Sequence, residues 1–311
     1  MEMSSSFRNK SKMVWLILIF NGIAFVMLML AGGSTDPDVL IRFGALSSNL
    51  ISEGQYWRLI TCIFLHANLM HLGVNAFSLF IFGPTAEIFF GRIKFLLIYL
   101  IAGIGGSATS YVFIDPRSIG VGASGAVFGV LGAIAVYYYL NNHIYGKYGR
   151  GMMAGIGVIV LLNLGFGFTV EGVDNWAHIG GLVFGILGTF ALQKRKSELG
   201  FGILGVNFFR IMILTIILIG VLVFVARDNP VNNLNKAQTL FEEKKYEMSI
   251  TQLEKVLDKN PDWGKAYLLR GKVLSEHINE SAGKDDLIKA AYLGDKNTRT
   301  EAIRLLSVPN K

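Results

Sequence analysis

Cysteine is almost absent from this chain. Cys62 stands alone, so no intramolecular disulfide can form, and it reads as a small buried hydrophobe. Charge is also scarce: 16% of residues are Asp, Glu, Lys or Arg, where soluble domains carry about 25%. That deficit, with 52% hydrophobic residues, excludes an ordinary soluble domain and places the chain in the membrane class. No HExxH pattern and no cysteine cluster occurs, which argues against a zinc centre and leaves no metal or cofactor to expect. The net charge of +7 is not a nucleic-acid signal, because the basic residues are sorted by loop.

What is present is apolar length. A spanning helix needs about 20 largely apolar residues, and seven runs qualify, near 14–31, 66–86, 93–114, 123–140, 152–170, 176–193 and 204–226. The first lacks a clear small-x-small cleavage site and is long for a signal segment, so it reads as a retained helix after a short cytoplasmic segment, 1–13. Arg8, Lys10 and Lys12 precede it; Arg92 and Lys94, Lys147 and Arg150, and Lys194, Arg195 and Lys196 occupy alternate later loops. Asp36, Asp38, Glu53, Asp115, Glu171 and Asp174 fall on the opposite side. The positive-inside rule then puts the N-terminus in the cytoplasm, and seven spans put the C-terminal tail outside. Arg210 interrupts the last span and is expected to snorkel, leaving Ile211–Ala226 as its core.

Residues 32–65 are too long for a simple turn and mix Gly, Asp, Pro and Ser with apolar residues. Short interfacial helices are expected there, with Tyr56 and Trp57 at the membrane surface. After Pro230 the composition becomes charged and helical. Two helices are expected within 236–261, and a 34-residue shift lays Ala237 on Gly271 and Leu240 on Leu274, the tetratricopeptide period. The tail, 230–311, reads as one repeat plus a degenerate second one with a lengthened loop at 276–284 and a closing helix at 298–306. A protein partner for the tail is one expectation; a plain helical hairpin without a binding role is the other.

Ionisable and nucleophilic side chains are costly at membrane depth and are functional candidates there. Gly122-Ala123-Ser124-Gly125 places a serine between small neighbours at the start of an apolar helix, where a carbonyl can approach and helix N–H groups favour an oxyanion. Ala177-His178-Ile179-Gly180-Gly181 carries a histidine into another span. Gly125 with Gly129, and Gly181 with Gly185, are small-xxx-small pairs that would bring the two helices together. A serine needs a base to accept its proton, and His178 supplies one. No acidic residue lies within spans three to six, so a dyad is expected and not a triad. Phe128, one turn after Ser124, can stack on the imidazole. His71 and Asn75, four apart on one helix face, are suitable oxyanion donors, and His66 fixes the helix entry.

Taken together, Tyr56-Trp57-Arg58, HANLMHLGVN at 66–75, GASGAVFG at 122–129 and AHIGGLVFG at 177–185 resemble the rhomboid family of intramembrane serine proteases over roughly residues 14–226. The resemblance implies an all-α membrane protein built on a six-helix bundle, here with a seventh helix and a small helical tail. It implies a Ser124–His178 dyad, an oxyanion site from the Ser124 N–H, His71 and Asn75, and Gly122 beside the substrate carbonyl. It makes Trp57 and Arg58 part of a structured first loop and the fifth span a lateral gate. The best-studied bacterial members of that family carry tyrosine at the place of Phe128, so the stack is expected without the hydroxyl's bond. The expected substrates are transmembrane segments of other proteins, in a bacterial inner membrane. A catalytically inactive relative that binds membrane clients is the alternative; a transporter is disfavoured because no internal repeat with matching interrupted helices is found.

Overall fold

The structure, a computed structural model, describes residues 11–114, 118–170, 172–192 and 230–307, with a few positions between 215 and 223. The seventh expected span and Arg210 therefore lie largely outside the described residues. The chain divides into two compact units, one drawn from residues up to 47 and 54–225, the other from 48–53 and 226 onward.

In the first unit, α1 (Lys12–Leu30) is followed by α2 (Pro37–Phe43), a two-residue strand β1 (Leu46–Ser47), α3 (Ser48–Ser52, assigned to the second unit), α4 (Arg58–Thr61) and a single 3-10 turn, Cys62–Phe64. Then come α5 (Leu69–Phe90), α6 (Arg92–Phe113), β2 (Ile119–Gly120), α7 (Ser124–Leu140), α8 (Asn142–Thr169) and α9 (Asn175–Leu192). Five of these, α1, α5, α6, α8 and α9, are long and apolar enough to cross a membrane, and this is an integral membrane protein of all-α class. The fourth expected span, α7, is apolar but only 17 residues long. At about 1.5 Å per residue it covers about 26 Å, short of the roughly 30 Å hydrocarbon core. It can be short because α6 and α9 pack against it along its length and leave most of it buried.

Local chemistry explains the boundaries. Asp36 caps α2 by accepting the Asp38 N–H at 2.8 Å, Pro37 opens the helix, and Gly44 closes it at φ +101°. A Cβ at Gly44 would strike the Thr61 and Trp57 side chains, so the tight stop is also a packing requirement. Helix α5 starts at Leu69 and not at 66, because extended Asn68 accepts the His71 N–H at 2.8 Å and is its N-cap. Its far end holds buried Glu87, whose carboxylate accepts the Met13 and Val14 N–H groups at 2.9–3.1 Å. A carboxylate at a helix N-terminus meets the unpaired donors there, so Glu87 fixes where α1 begins.

Two expectations need correction. The fifth span was expected at 152–170, yet α8 runs back to Asn142 through a break at Gly146 (φ +48°). Lys147 and Arg150 lowered the apolar signal over a segment that is nonetheless helical. The long first loop does form short helices, but it also contributes β1, which pairs antiparallel with β2 as Leu46 with Gly120 and Ser47 with Ile119.

The second unit contains five helices among the described residues: α10 (Pro230–Glu242), α11 (Tyr246–Lys259), α12 (Gly264–His277), α13 (Glu280–Leu293) and α14 (Lys296–Ser307). Leu253, Val256, Ala266 and Ala290 form its core with Ala237 and Ala302. The lengthened loop expected at 276–284 is absent: only Ile278 and Asn279 separate α12 from α13, and Asn279 caps α13 through the Ala282 N–H at 3.1 Å. Gly271 and Gly283 allow this pair to close, since a Cβ at Gly271 would come within 3.0 Å of the Gly283 carbonyl. Arg270 reaches buried Asp286 with two hydrogen bonds, 2.6 and 3.0 Å, and ties the same helices.

Candidate active site

Ser124 is the first residue of α7, at the end of a segment held by backbone contacts. Strand β2 is paired to β1, and the Gly122 N–H donates to the Cys62 carbonyl at 2.9 Å. Gly122 has φ +126°, and a Cβ there would lie 2.6 Å from His71 Nε2. Both facts demand glycine. The contact brings His71 against the residue two before the serine.

Helix α9 delivers His178. A Cβ on Gly125 would come within 2.9 Å of the Ala177 carbonyl, and a Cβ on Gly129 within 2.9 Å of the Gly181 carbonyl. The small-xxx-small faces of α7 and α9 therefore meet backbone to backbone, as the sequence suggested. The contact lies one residue from Ser124 on one helix and one from His178 on the other. Phe128 stacks on the His178 ring, centroids 4.3 Å apart and planes 6° from parallel. His178 is buried, and its Nδ1 has no hydrogen-bond partner among the described residues. No hydrogen bond joins Ser124 to His178 in this resting geometry among the described residues; such bonds are often long in substrate-free enzymes.

Asn75 is buried, and its amide donates to the His71 carbonyl one turn earlier at 2.9 Å. One amide hydrogen is thus used inside α5. His66 is fully buried, its ring edge-on to His71 at 5.1 Å, so it supports His71 from behind. Arg58 stands further back. It is buried and donates to the Ile41 carbonyl at 2.7 Å, the Ala45 carbonyl at 3.0 Å and the Gln55 side chain at 2.9 Å, with its guanidinium over the Trp57 ring. Its work is to close the first loop; Trp57 itself is half exposed.

The sequence reading passed over Asp174 and Asn175. Asp174 accepts the Ser110 hydroxyl from α6 and the Ala177 N–H at 2.9 Å, and its carbonyl accepts the His178 N–H at 3.2 Å. It anchors the turn that presents the histidine. Asn175 donates to the Leu164 carbonyl of α8 at 3.2 Å, beside Gly167, which has no room for a side chain. An Asp-Asn pair just before an apolar helix is a capping signal, and that is what could have found them.

A family model for the rhomboid domain matches residues 53–195. The chain is 38% identical over 248 residues to the rhomboid protease GluP of Bacillus subtilis (strain 168), an alignment spanning 78% of this chain and 47% of that one. It is 42% identical over 164 residues to RHOMBOID-like protein 6, mitochondrial, of Arabidopsis thaliana, 52% of each chain. With YdcA of Bacillus subtilis (strain 168) the identity is 34% over 161 residues, 51% of this chain and 79% of that protein. The chain spans about half the length of the first two of these relatives. A relative matched over most of its length, a domain match that encloses the whole site, and glycine-lined helices around a serine and a histidine agree: this chain belongs to the rhomboid family.

Proposed function

We propose that this protein is an intramembrane serine endopeptidase that cleaves transmembrane segments of other proteins. The observation that carries the reading is the α7–α9 backbone contact, which sets the neighbours of Ser124 and His178 against each other with Phe128 stacked on the imidazole. In this mechanism Ser124 Oγ attacks the scissile carbonyl while His178 accepts its proton; His178 then returns the proton to the leaving amine, and water completes deacylation. The imidazole is positioned by the Phe128 stack and the Asp174 turn, without a third triad member. The developing oxyanion is met by the Ser124 N–H, His71 and Asn75, and by the positive end of α7. Gly122 keeps that space open.

Helix α8 is the gate for a substrate helix, because it is the least buried of the long apolar helices and a Cβ added at four of its glycines (151, 155, 157 and 165) would meet nothing within 4 Å. The site opens to the extracytoplasmic side, which supplies the water. Substrates are single-span proteins whose upper helix unwinds readily and whose cleaved bond has small flanking residues. The family relatives named as proteases support this reading.

A fluorophosphonate probe tests it in native membranes. The wild-type chain is expected to be labelled, and Ser124→Ala to lose both labelling and cleavage of a transmembrane reporter. Labelling that persists in Ser124→Ala removes that residue as nucleophile; a folded wild-type chain that neither labels nor cleaves supports the inactive client-binding alternative.

A further inference from the structure

Helix α8 is attached unevenly along its length. Near its start, Tyr138 of α7 meets Tyr145 and Tyr148 with ring centroids 5.1 and 6.1 Å apart, and Gly146 breaks the helix between those two tyrosines. At the other end, among residues 161–170, Gly167 alone is buried. Asn175 covers it, with Val173 alongside: a Cβ on Gly167 would strike the Asn175 side chain and come within 2.8 Å of Val173 Cγ1. The Asn175 amide donates to the Leu164 carbonyl at 3.2 Å, one turn before Gly167 on the same face. Among the described residues, no other side-chain hydrogen bond joins this end of α8 to a neighbouring helix.

Helix α9 is fixed by contacts in which α8 has no part. Asp174 ties its start to α6 through the Ser110 hydroxyl, and Gly181 and Gly185 press it backbone to backbone on α7. Breaking the Asn175–Leu164 bond therefore frees α8 and leaves α9 in place, with His178 one turn beyond Asn175. The bond is also easy to give up. Asn175 Oδ1 is buried without a hydrogen-bond partner among the described residues. An unsatisfied buried acceptor carries a desolvation penalty that offsets the bond beside it. Separation of α8 from α9 loses one neutral bond and relieves that oxygen.

We propose that Asn175 is the latch of the gate, a positioning residue that holds the free end of α8 to α9 beside His178 and sets how readily a substrate helix enters. Its effect on cleavage rests on the protease reading above; its hold on α8 does not. The latch acts on access and not on the chemistry. It therefore separates two kinds of reagent: a transmembrane helix, which needs α8 displaced, and a small acylating or phosphonylating molecule, which reaches the serine with α8 in place.

The test uses the full chain in phospholipid vesicles and two readouts. Spin labels carried on non-natural amino acids replace exposed Leu69 of α5 and Phe168 of α8, and the distance between them is measured by pulsed electron resonance. Asn175→Leu, which keeps the bulk and loses the donor, is expected to add a displaced distance population several-fold larger than in the wild-type chain. Gly167→Ala, which wedges the same contact apart, is expected to do likewise, and it serves the comparison alone should Asn175→Leu lose its thermal transition. In the unlabelled chain, either variant is expected to lower the KM for a transmembrane reporter several-fold and to leave the rate of fluorophosphonate labelling unchanged. Distances or KM values unaltered in both variants overturn the proposal. Cleavage and labelling that fall together in a folded chain also overturn it, by showing that Asn175 serves to orient His178. A wild-type chain that neither labels nor cleaves defeats the protease reading instead, and the distances then decide the latch by themselves.

Discussion

Gly122 is the residue with least freedom to change. Its backbone lies at φ +126°, and the space a methyl would take belongs to His71 Nε2, 2.6 Å away. Gly122→Ala must therefore strain the backbone, at a cost of about 1–3 kcal/mol, or push His71 away from the place where we propose it meets the oxyanion. We expect cleavage to fall by about 10²-fold, the scale of one lost oxyanion donor, with a smaller change in thermal stability. A variant that stays folded and keeps wild-type turnover would remove Gly122 and its neighbour from the site. At this scale much was legible: Ser124, His178 and the paired glycines announced themselves because polar groups and missing side chains are rare events in an apolar span. The Cys62 carbonyl was not legible, since a backbone acceptor leaves no mark in the side-chain alphabet. Asp174 was passed over because it lies in a loop, where an acid costs little and attracts no notice.

The elements show the same division between what side chains declare and what backbone geometry decides. Apolar length located α1, α5, α6, α7 and α9 to within a few residues. It missed the first ten residues of α8, whose lysine and arginine sit on a continuing helix. It could not foresee β1 and β2, since two residues carry no readable period. In the tail, the helix ends rest on caps that pH can address. Asp295 accepts the Thr298 N–H at 2.8 Å at the start of α14, and that bond holds its carboxyl down at about 2, below the ordinary 3.8. A depressed carboxyl stabilises the fold only while ionised. Its contribution is thus whole above about pH 4 and disappears as pH falls through about 2. The loss of helical circular dichroism from α14 over that window is expected to be absent in Asp295→Asn; identical acid profiles for the two chains would show that another group controls the end of the helix.

At the scale of the whole molecule, the charge sorting of loops was the sequence's strongest statement, and it makes a prediction about sidedness. We propose from it that α1 enters from the cytoplasm and that seven spans put residues 230–311 outside. Protease added to the outer face of intact spheroplasts is then expected to digest the tail while sparing the N-terminal segment. A protected tail would mean that 204–226 does not cross. The two units each carry a core of their own, one of glycine-lined helices and one of small and aliphatic residues between amphipathic helices. Composition separated them at Pro230 because the two cores face different solvents and must be built from different surfaces. The described residues of the tail form two helical hairpins followed by a fifth helix, and the spacing inside the second hairpin was misjudged, since Gly271 and Gly283 let its helices meet without a longer connection.

The short ladder between Leu46–Ser47 and Ile119–Gly120 and the bond from Gly122 to Cys62 are made wholly of peptide groups. A brace of that kind makes no hydrogen-bonding demand on the side chains of Leu46, Ser47, Ile119 and Cys62, provided none is proline, whereas Gly122 stays fixed by its own backbone angle and by His71. At those four positions the sequence can therefore vary while the approach to the serine keeps its shape. Much of the molecule's capacity for evolutionary change lies in that separation of wording from grip.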